Sequence, residues 1–194
     1  MPTVDIFPDA IINNDWTVVG TGAAHEVLLD SDFSNYLKSD TNTEYFEMEL
    51  GGLDSVGLNI DTITSIQVHM LGDHSARGSS STVTCDYRNS SGIINSYTED
   101  IALSTAGAIH DTPFTARTTS DGSDLWEDDD IEDMRFRVTM RTVDTGGAYT
   151  FITQMYLTVT YTELAVVIPT YSSDDNAIIK NGLITLKNGI VVVK

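Results

Sequence analysis

The residues with the most chemical potential in this chain are histidines, serines, one cysteine and many carboxylates. The histidines are His25, His69, His74 and His110. A metal-binding imidazole pair needs a spacing that turns both rings toward one point. His69 and His74 are five apart with Asp73 between them, and a strand running into a loop does not converge them, so they read as solvated. Nucleophilic catalysis needs a Ser or Cys beside a base. No Gly-x-Ser-x-Gly occurs, and Ser79-Ser80-Ser81 and Ser90-Ser91 read as loop polarity. The single cysteine lies in Val83-Thr84-Cys85-Asp86-Tyr87, on the face of Val83 and Tyr87, with no His or Lys beside it. It reads as a buried, inert thiol. One cysteine also excludes an internal disulfide and a cysteine-rich zinc site. Walker and dinucleotide glycine patterns are missing from the sequence.

Carboxylates are so common that no pair of them is informative. A glycosidase needs two carboxyls ~5–10 Å apart in an aromatic groove. Only Trp16 and Trp126 are available as tryptophan platforms, and both read as core fillers. Calcium wants clustered oxygens. Asp30-Ser31-Asp32, Asp121-Gly122-Ser123-Asp124 and Asp128-Asp129-Asp130 are the candidate loops, and none has the Asp-x-Asp-x-Asp-Gly spacing. Solvated acidic loops are the favoured reading, with calcium the one cofactor left open. The expectation is a protein that is not an enzyme, with no catalytic, cofactor-binding or metal-ligating residue.

The chain has 194 residues, 41% of them hydrophobic, with 10 Lys+Arg against 29 Asp+Glu for a net charge of −19. That suffices for a core without staples. So acidic a surface repels phosphate backbones and anionic lipid, which argues against nucleic-acid and membrane-surface binding. No apolar run approaches the ~18 residues of a spanning helix. Met1-Pro2-Thr3-Val4-Asp5 has no basic segment followed by an apolar stretch, so no secretory signal is expected.

The elements that must position any site read with period two. Glu44-Tyr45-Phe46-Glu47-Met48-Glu49-Leu50 sets Phe46, Met48 and Leu50 against Glu47 and Glu49. Ile66-Gln67-Val68-His69-Met70 alternates likewise, and residues 134–141 put Arg135, Arg137 and Arg141 on the outward face. In 149–162, Phe151, Met155, Leu157, Val159 and Tyr161 are expected on one side, and Thr150, Thr158, Thr160 and Thr162 on the other. Weaker strands are expected at 16–19, 83–88, 93–97 and 114–118. Turn clusters such as Asn13-Asn14-Asp15, Gly51-Gly52 and Asp144-Thr145-Gly146-Gly147 separate them. This pattern predicts an all-β fold, an antiparallel two-sheet β-sandwich. A short helix is expected at 127–134, where carboxylates suit a helix start.

The chain divides at 163. Residues 1–163 carry 27 acidic and 7 basic residues, net −20, whereas 164–194 carry 2 and 3, net +1. Within that C-terminal β extension, Lys180-Asn181-Gly182-Leu183 and Lys187-Asn188-Gly189-Ile190 repeat at a spacing of seven. Asn-Gly pairs between β-formers are the signature of type I′ hairpins, so a meander of three very short strands is expected. Alone it buries too little to be stable, and Ile178-Ile179 and Ile190-Val191-Val192-Val193 are apolar on both sides. Ile178, Ile179, Leu183, Leu186, Ile190 and Val192 are therefore the candidate subunit-interface residues. The alternative is a final sheet edge folded within one domain.

The order of these elements resembles a known family. An early Trp16 is followed by Val27-Leu28-Leu29-Asp30-Ser31-Asp32-Phe33-Ser34-Asn35-Tyr36-Leu37, the 44–50 strand and an Ile-x-x-Ile-x-Val element at 63–68. Trp126 precedes an acidic turn and the 134–141 strand, and Met155-Tyr156-Leu157-Thr158-Val159-Thr160-Tyr161 closes the body. Over roughly residues 14–162 this resembles the jelly-roll-like β-sandwich proteins of tailed-bacteriophage virions, a family that includes capsid decoration or cement proteins and head fibres. The resemblance implies a virion structural protein assembled in the host cytoplasm. It would bind the major capsid protein or another virion protein as a homo-oligomer, expected to be a trimer. The rival reading is a carbohydrate- or receptor-binding module of a head fibre or tail. That reading expects exposed rings along one face, drawn from Tyr45, Tyr87, Tyr97, Tyr149 and Tyr156.

Overall fold

Period-two alternation becomes two antiparallel sheets facing each other across one apolar core. The computed structural model describes residues 1–29, 34–74, 80–89, 92–104, 110–113, 115–120, 124–142, 149–164, 177–180 and 183–186. The first sheet contains β1 (Thr3–Ile6), β3 (Thr17–Val19), β4 (Tyr36–Ser39), β6 (Ile60–His74), β9 (His110–Pro113) and β11 (Thr150–Glu163). Its order is β3-β4-β11-β6-β9, with β1 also pairing with β11. The second contains β2 (Pro8–Asn14), β5 (Tyr45–Leu50), β7 (Ser80–Asn89), β8 (Gly92–Ser104) and β10 (Arg135–Thr142), in the order β2-β5-β10-β7-β8. The fold class read from the sequence, an all-β antiparallel sandwich, is the one observed.

The core is what alternation demands of two half-buried sheets. Leu37, Ile66, Val68, Met70, Met155, Leu157 and Val159 come from the first sheet; Phe46, Met48, Val83, Cys85, Tyr87, Phe136, Val138 and Met140 come from the second. All are essentially inaccessible to solvent. Tyr87 meets Phe136 edge-on with centroids 4.9 Å apart. Both tryptophans are buried as expected, at 3% exposure each. Trp16 packs edge-on against Phe46 at 5.1 Å, and the Trp126 indole N–H donates to the Arg117 carbonyl oxygen at 3.0 Å.

Outside the core, the second sheet carries an ion-paired ladder. Arg137 stands opposite Glu47 in the register and donates to its carboxylate at 2.6 and 3.0 Å; Arg135 does the same to Glu49 at 3.0 Å. Arg88, on β7 beyond β10, also approaches Glu47, at 3.6 Å. The Glu47 side chain is 7% exposed, so these cations stand where water would otherwise solvate its carboxylate. The guanidinium of Arg137 also lies over the Tyr45 ring at 4.4 Å.

Four features depart from the sequence reading. A β-bulge lies between Ile152 and Gln154 in β11. The extra residue inverts the alternation, so Thr150 and Ile152 turn inward and Phe151 turns outward, half-buried. Opposite the bulge, a Cβ on Gly72 would collide with the Phe151 carbonyl oxygen. The expected strand at 114–118 is displaced to β9; Arg117 instead makes a single bridge to Ile66, with two backbone hydrogen bonds of 2.8 Å. Strands β1 and β2 have no clear alternation to announce them, β4 alternates over four residues only, and β2 is interrupted by two register shifts of its own. The expected helix is shorter than 127–134: α1 spans Asp128–Glu132, with the Glu127 N–H donating to the Asp130 carboxylate at 2.9 Å.

The chain separates into two compact units, Met1–Glu163 and Leu164–Lys194. In the second, β12 (Ala177–Lys180) and β13 (Leu183–Leu186) pair antiparallel, with Ala177 opposite Leu186 and Lys180 opposite Leu183. Ile178, Ile179, Leu183 and Leu186 fall on these strands; their side chains lie outside what the structure describes, as do Asn181-Gly182, Ile190 and Val192.

Two substitutions weigh the core against the ladder. Phe136→Ala should cost about 3–5 kcal/mol through the cavity it leaves. Arg137→Ala should cost about 3 kcal/mol, the low end for an orphaned buried partner because Arg88 remains beside Glu47. Denaturant midpoints at unchanged slope are the readout, and a cost below about 1 kcal/mol for Arg137→Ala would mean Glu47 is solvated after all.

Candidate functional site

The bulge in β11 is what brings aromatic rings together on the outer face of the first sheet. Upstream of it, Phe151 and Tyr149 point outward beside β4, whose Tyr36 and Lys38 are the outward residues of a strand with Leu37 and Ser39 buried. Tyr36 and Tyr149 stack at 6.4 Å with their planes 7° apart, Tyr36 and Phe151 lie 5.3 Å apart, and Lys38 Nζ sits 4.8 Å over the Tyr149 ring. Downstream, Tyr156 stands opposite His69 of β6, and their rings stack at 4.7 Å with planes 3° apart. Phe7, where the chain leaves β1 for β2, approaches Tyr156 at 5.7 Å and is 38% exposed.

These are two patches of rings, and Gln154 lies between them. Its amide donates to the Leu29 carbonyl oxygen at 3.0 Å, and Leu29 bridges to β11 at this point. From Phe151 to Tyr156 is five residues, or about 15 Å along a strand once the bulge is allowed for. Beyond Tyr156 the strip continues with the half-buried Thr158, Thr160 and Thr162. The Thr158 hydroxyl donates to Asp5 at 2.7 Å. From Tyr149 to Thr162 the sequence contains no charged residue, although the body around it is strongly acidic.

The hydrogen bond that Tyr36 shares with Tyr149 holds the Tyr36 phenol above the usual tyrosine value, with burial and the Tyr149 charge adding to it.

Of the rings the sequence singled out, the structure brings Tyr149 and Tyr156 onto this face. Tyr45 lies on the outer face of the opposite sheet, Tyr87 is wholly buried in the core, and the side chain of Tyr97 lies outside the described residues. Tyr36, Phe151, Phe7 and His69 were not singled out as ring positions. Alternation in Tyr36-Leu37-Lys38-Ser39 was the available signal for Tyr36; nothing local announced Phe151.

A second feature is a groove of about 340 Å³ between the start of β6 and the segment leading into α1. Ile60, Asp61, Leu125, Trp126, Glu127 and Asp128 line it, and Leu125 is 58% exposed. Among the described residues its lining offers the carboxylates of Asp61, Glu127 and Asp128 and the hydroxyl of Thr62, with no histidine, serine or cysteine. Of the calcium loops, 30–32 and 121–123 lie outside the described residues. Asp128, Asp129 and Asp130 form the first turn of α1. Among the described residues no group of three or more His, Cys, Asp or Glu is placed to hold a metal ion. No described helix is long and apolar enough to cross a membrane.

Tyr149→Phe removes the hydroxyl that perturbs Tyr36. In an alkaline titration that follows the Tyr36 ring signal by NMR, the Tyr36 phenol should move down toward the ordinary tyrosine value. An unchanged titration would mean the two hydroxyls do not share a proton.

Family models give no match to this sequence, and neither do curated proteins. Among solved structures, the chain is similar to the CBM32 of AlyQ in complex with 4,5-unsaturated mannuronic acid. The TM-score is 0.45 at 14% identity, over 79% of this chain and 97% of that one. A truncated AlyQ with CBM32 and alginate lyase domains gives a TM-score of 0.48 at 14% identity, over 84% of this chain and 35% of that one. The CBM36-1 domain of a multidomain xylanase from the hindgut metagenome of Trinervitermes trinervoides gives 0.40 at 8% identity, over 84% and 100%. None of these three likenesses reaches a TM-score of 0.5, and none bears on function.

Proposed function

We propose that this chain is a non-catalytic carbohydrate-binding β-sandwich module that takes sugar on the outer face of its first sheet. The observation that supports the reading is the pair of ring patches around Tyr36, Tyr149 and Phe151 and around Tyr156, His69 and Phe7. A pyranose presents C–H groups on its faces and hydroxyls at its rim. Aromatic rings cover the first, and polar groups such as Gln154, Lys38 and Thr158 meet the second. Rings already packed against one another lose little freedom on binding, which keeps the cost of association low.

A second reading, a virion structural protein of the decoration or head-fibre type, has the separate C-terminal unit in its favour. A two-stranded ribbon of four-residue strands is marginal alone. On this reading Ile178, Ile179, Leu183, Leu186, Ile190 and Val192 join sibling copies into a trimer that docks on the major capsid protein or another virion protein. The two readings meet in a receptor-binding module of a head fibre or tail, where the body reads a surface glycan and the C-terminal unit clusters copies.

Binding to an immobilised glycan panel tests the first reading. Phe151→Ala and Tyr156→Ala should each weaken the best sugar at least ~10-fold, about 1.4 kcal/mol, with the circular dichroism spectrum intact. Tyr45→Ala, on the opposite sheet, should leave affinity unchanged. No bound sugar, or equal affinity in all variants, overturns it. For the second reading, sedimentation at micromolar concentration should show a trimer of the full chain, and a stable monomer overturns it.

A further inference from the structure

Resting on the carbohydrate reading, we infer that the ligand is an extended, uncharged polysaccharide chain lying along β11 and touching both ring patches at once. The argument begins with the layout of the rings. Each patch is knit by its own ring contacts. The two are separated along β11 by Gln154, with the half-buried Leu71 opposite it in the ladder. The separation of about 15 Å, from five residues of bulged strand, exceeds the width of a single sugar ring. A monosaccharide can engage one patch only; a chain running with the strand engages both.

The surface also continues past the second patch. Among the described residues, Thr158, Thr160 and Thr162 extend the same outward row and carry hydroxyls along it. Such a row suits the interior of a long chain.

Charge then selects the class of chain. The row from Tyr149 to Thr162 has no charged residue, and the body around it is net −20. Among the described residues of the ring patches, Lys38 is the lysine or arginine present, and it is engaged with Tyr149. On the other side of the balance, Asp5 accepts from Thr158, and Asp73 pairs with Phe151 in the ladder. A uronate or sulfated chain would lie in this field at distances comparable with the ~8 Å screening length of physiological salt, and would be repelled along its whole length. A neutral chain meets no such penalty.

Two patches joined by one ligand behave as a bivalent site, whose second contact forms at high effective concentration. Calorimetry on the full chain tests this with neutral gluco- and xylo-oligosaccharides of increasing length, and with oligogalacturonates of matching length. For the better neutral series, affinity should rise by at least ~100-fold over a narrow range of lengths, then level off. Phe151→Ala or Tyr156→Ala should abolish that step while leaving weak binding of short oligomers at the remaining patch. Oligogalacturonates should bind more weakly, with the gap narrowing as salt is raised. A monosaccharide that binds as tightly as long oligomers, or an oligogalacturonate that matches the neutral series at low salt, overturns the inference and leaves the carbohydrate reading standing. Absence of binding by any sugar overturns both.

Discussion

Strand β11 is the element on which the rest of the body depends, because it is hydrogen-bonded along both edges and faces two environments. On one edge β6 accompanies it from Thr150 to Glu163. The other edge is shared by β4 at Thr150–Ile152, by Leu29 at Gln154 and by β1 at Leu157–Thr160. A buried strand cannot leave amides unpaired without a penalty of about 1–3 kcal/mol each, so these segments are held where β11 needs them. Its inward residues, Met155, Leu157 and Val159, reach the common core, and its outward residues form the ring platform. The bulge at Ile152–Gln154 lets one strand serve both ends of this arrangement, since it turns Phe151 out while keeping Ile152 in.

The distribution of charge follows the division between sheets. An acidic body has few cations to deploy, and three of the seven basic residues in 1–163 are committed to Glu47 and Glu49 on the second sheet. There they pair with the little-exposed carboxylate of Glu47 and the more open one of Glu49. The first sheet needs no such ladder. Its central strand is uncharged from Tyr149 to Thr162, and the described outward residues of that strand are rings, Gln154 and threonines, with Lys38, Asp5 and Asp73 beside them. Among the described residues, one face of the sandwich therefore carries an arginine–glutamate ladder and the other a row of rings and hydroxyls.

Much of this architecture is legible in the amino-acid order, and the limit of legibility has a physical origin. Alternation in Tyr45–Leu50 and Arg135–Thr142 is a local property, as is the placement of Cys85 and Tyr87 on one face. Side-chain direction along a strand depends only on the strand itself. Carboxylates before Ile131 likewise mark a helix start through local dipoles alone. The division of charge at 163 needs nothing beyond counting.

The ring platform belongs to the other category. Tyr36 and Tyr149 are remote in sequence and meet because β4 pairs with the first residues of β11. His69 and Tyr156 meet because β6 and β11 share one register, and Phe7 arrives where the chain crosses between sheets. Phe151 was assigned to the wrong side because a single inserted residue reverses every side chain beyond it, and only pairing with a partner strand reveals the insertion. Period-two patterning by itself determined that there would be two sheets and what would fill the space between them. Which strands became neighbours, and hence which rings share a surface, was decided by long-range hydrogen-bond register, a quantity that no local stretch of sequence encodes.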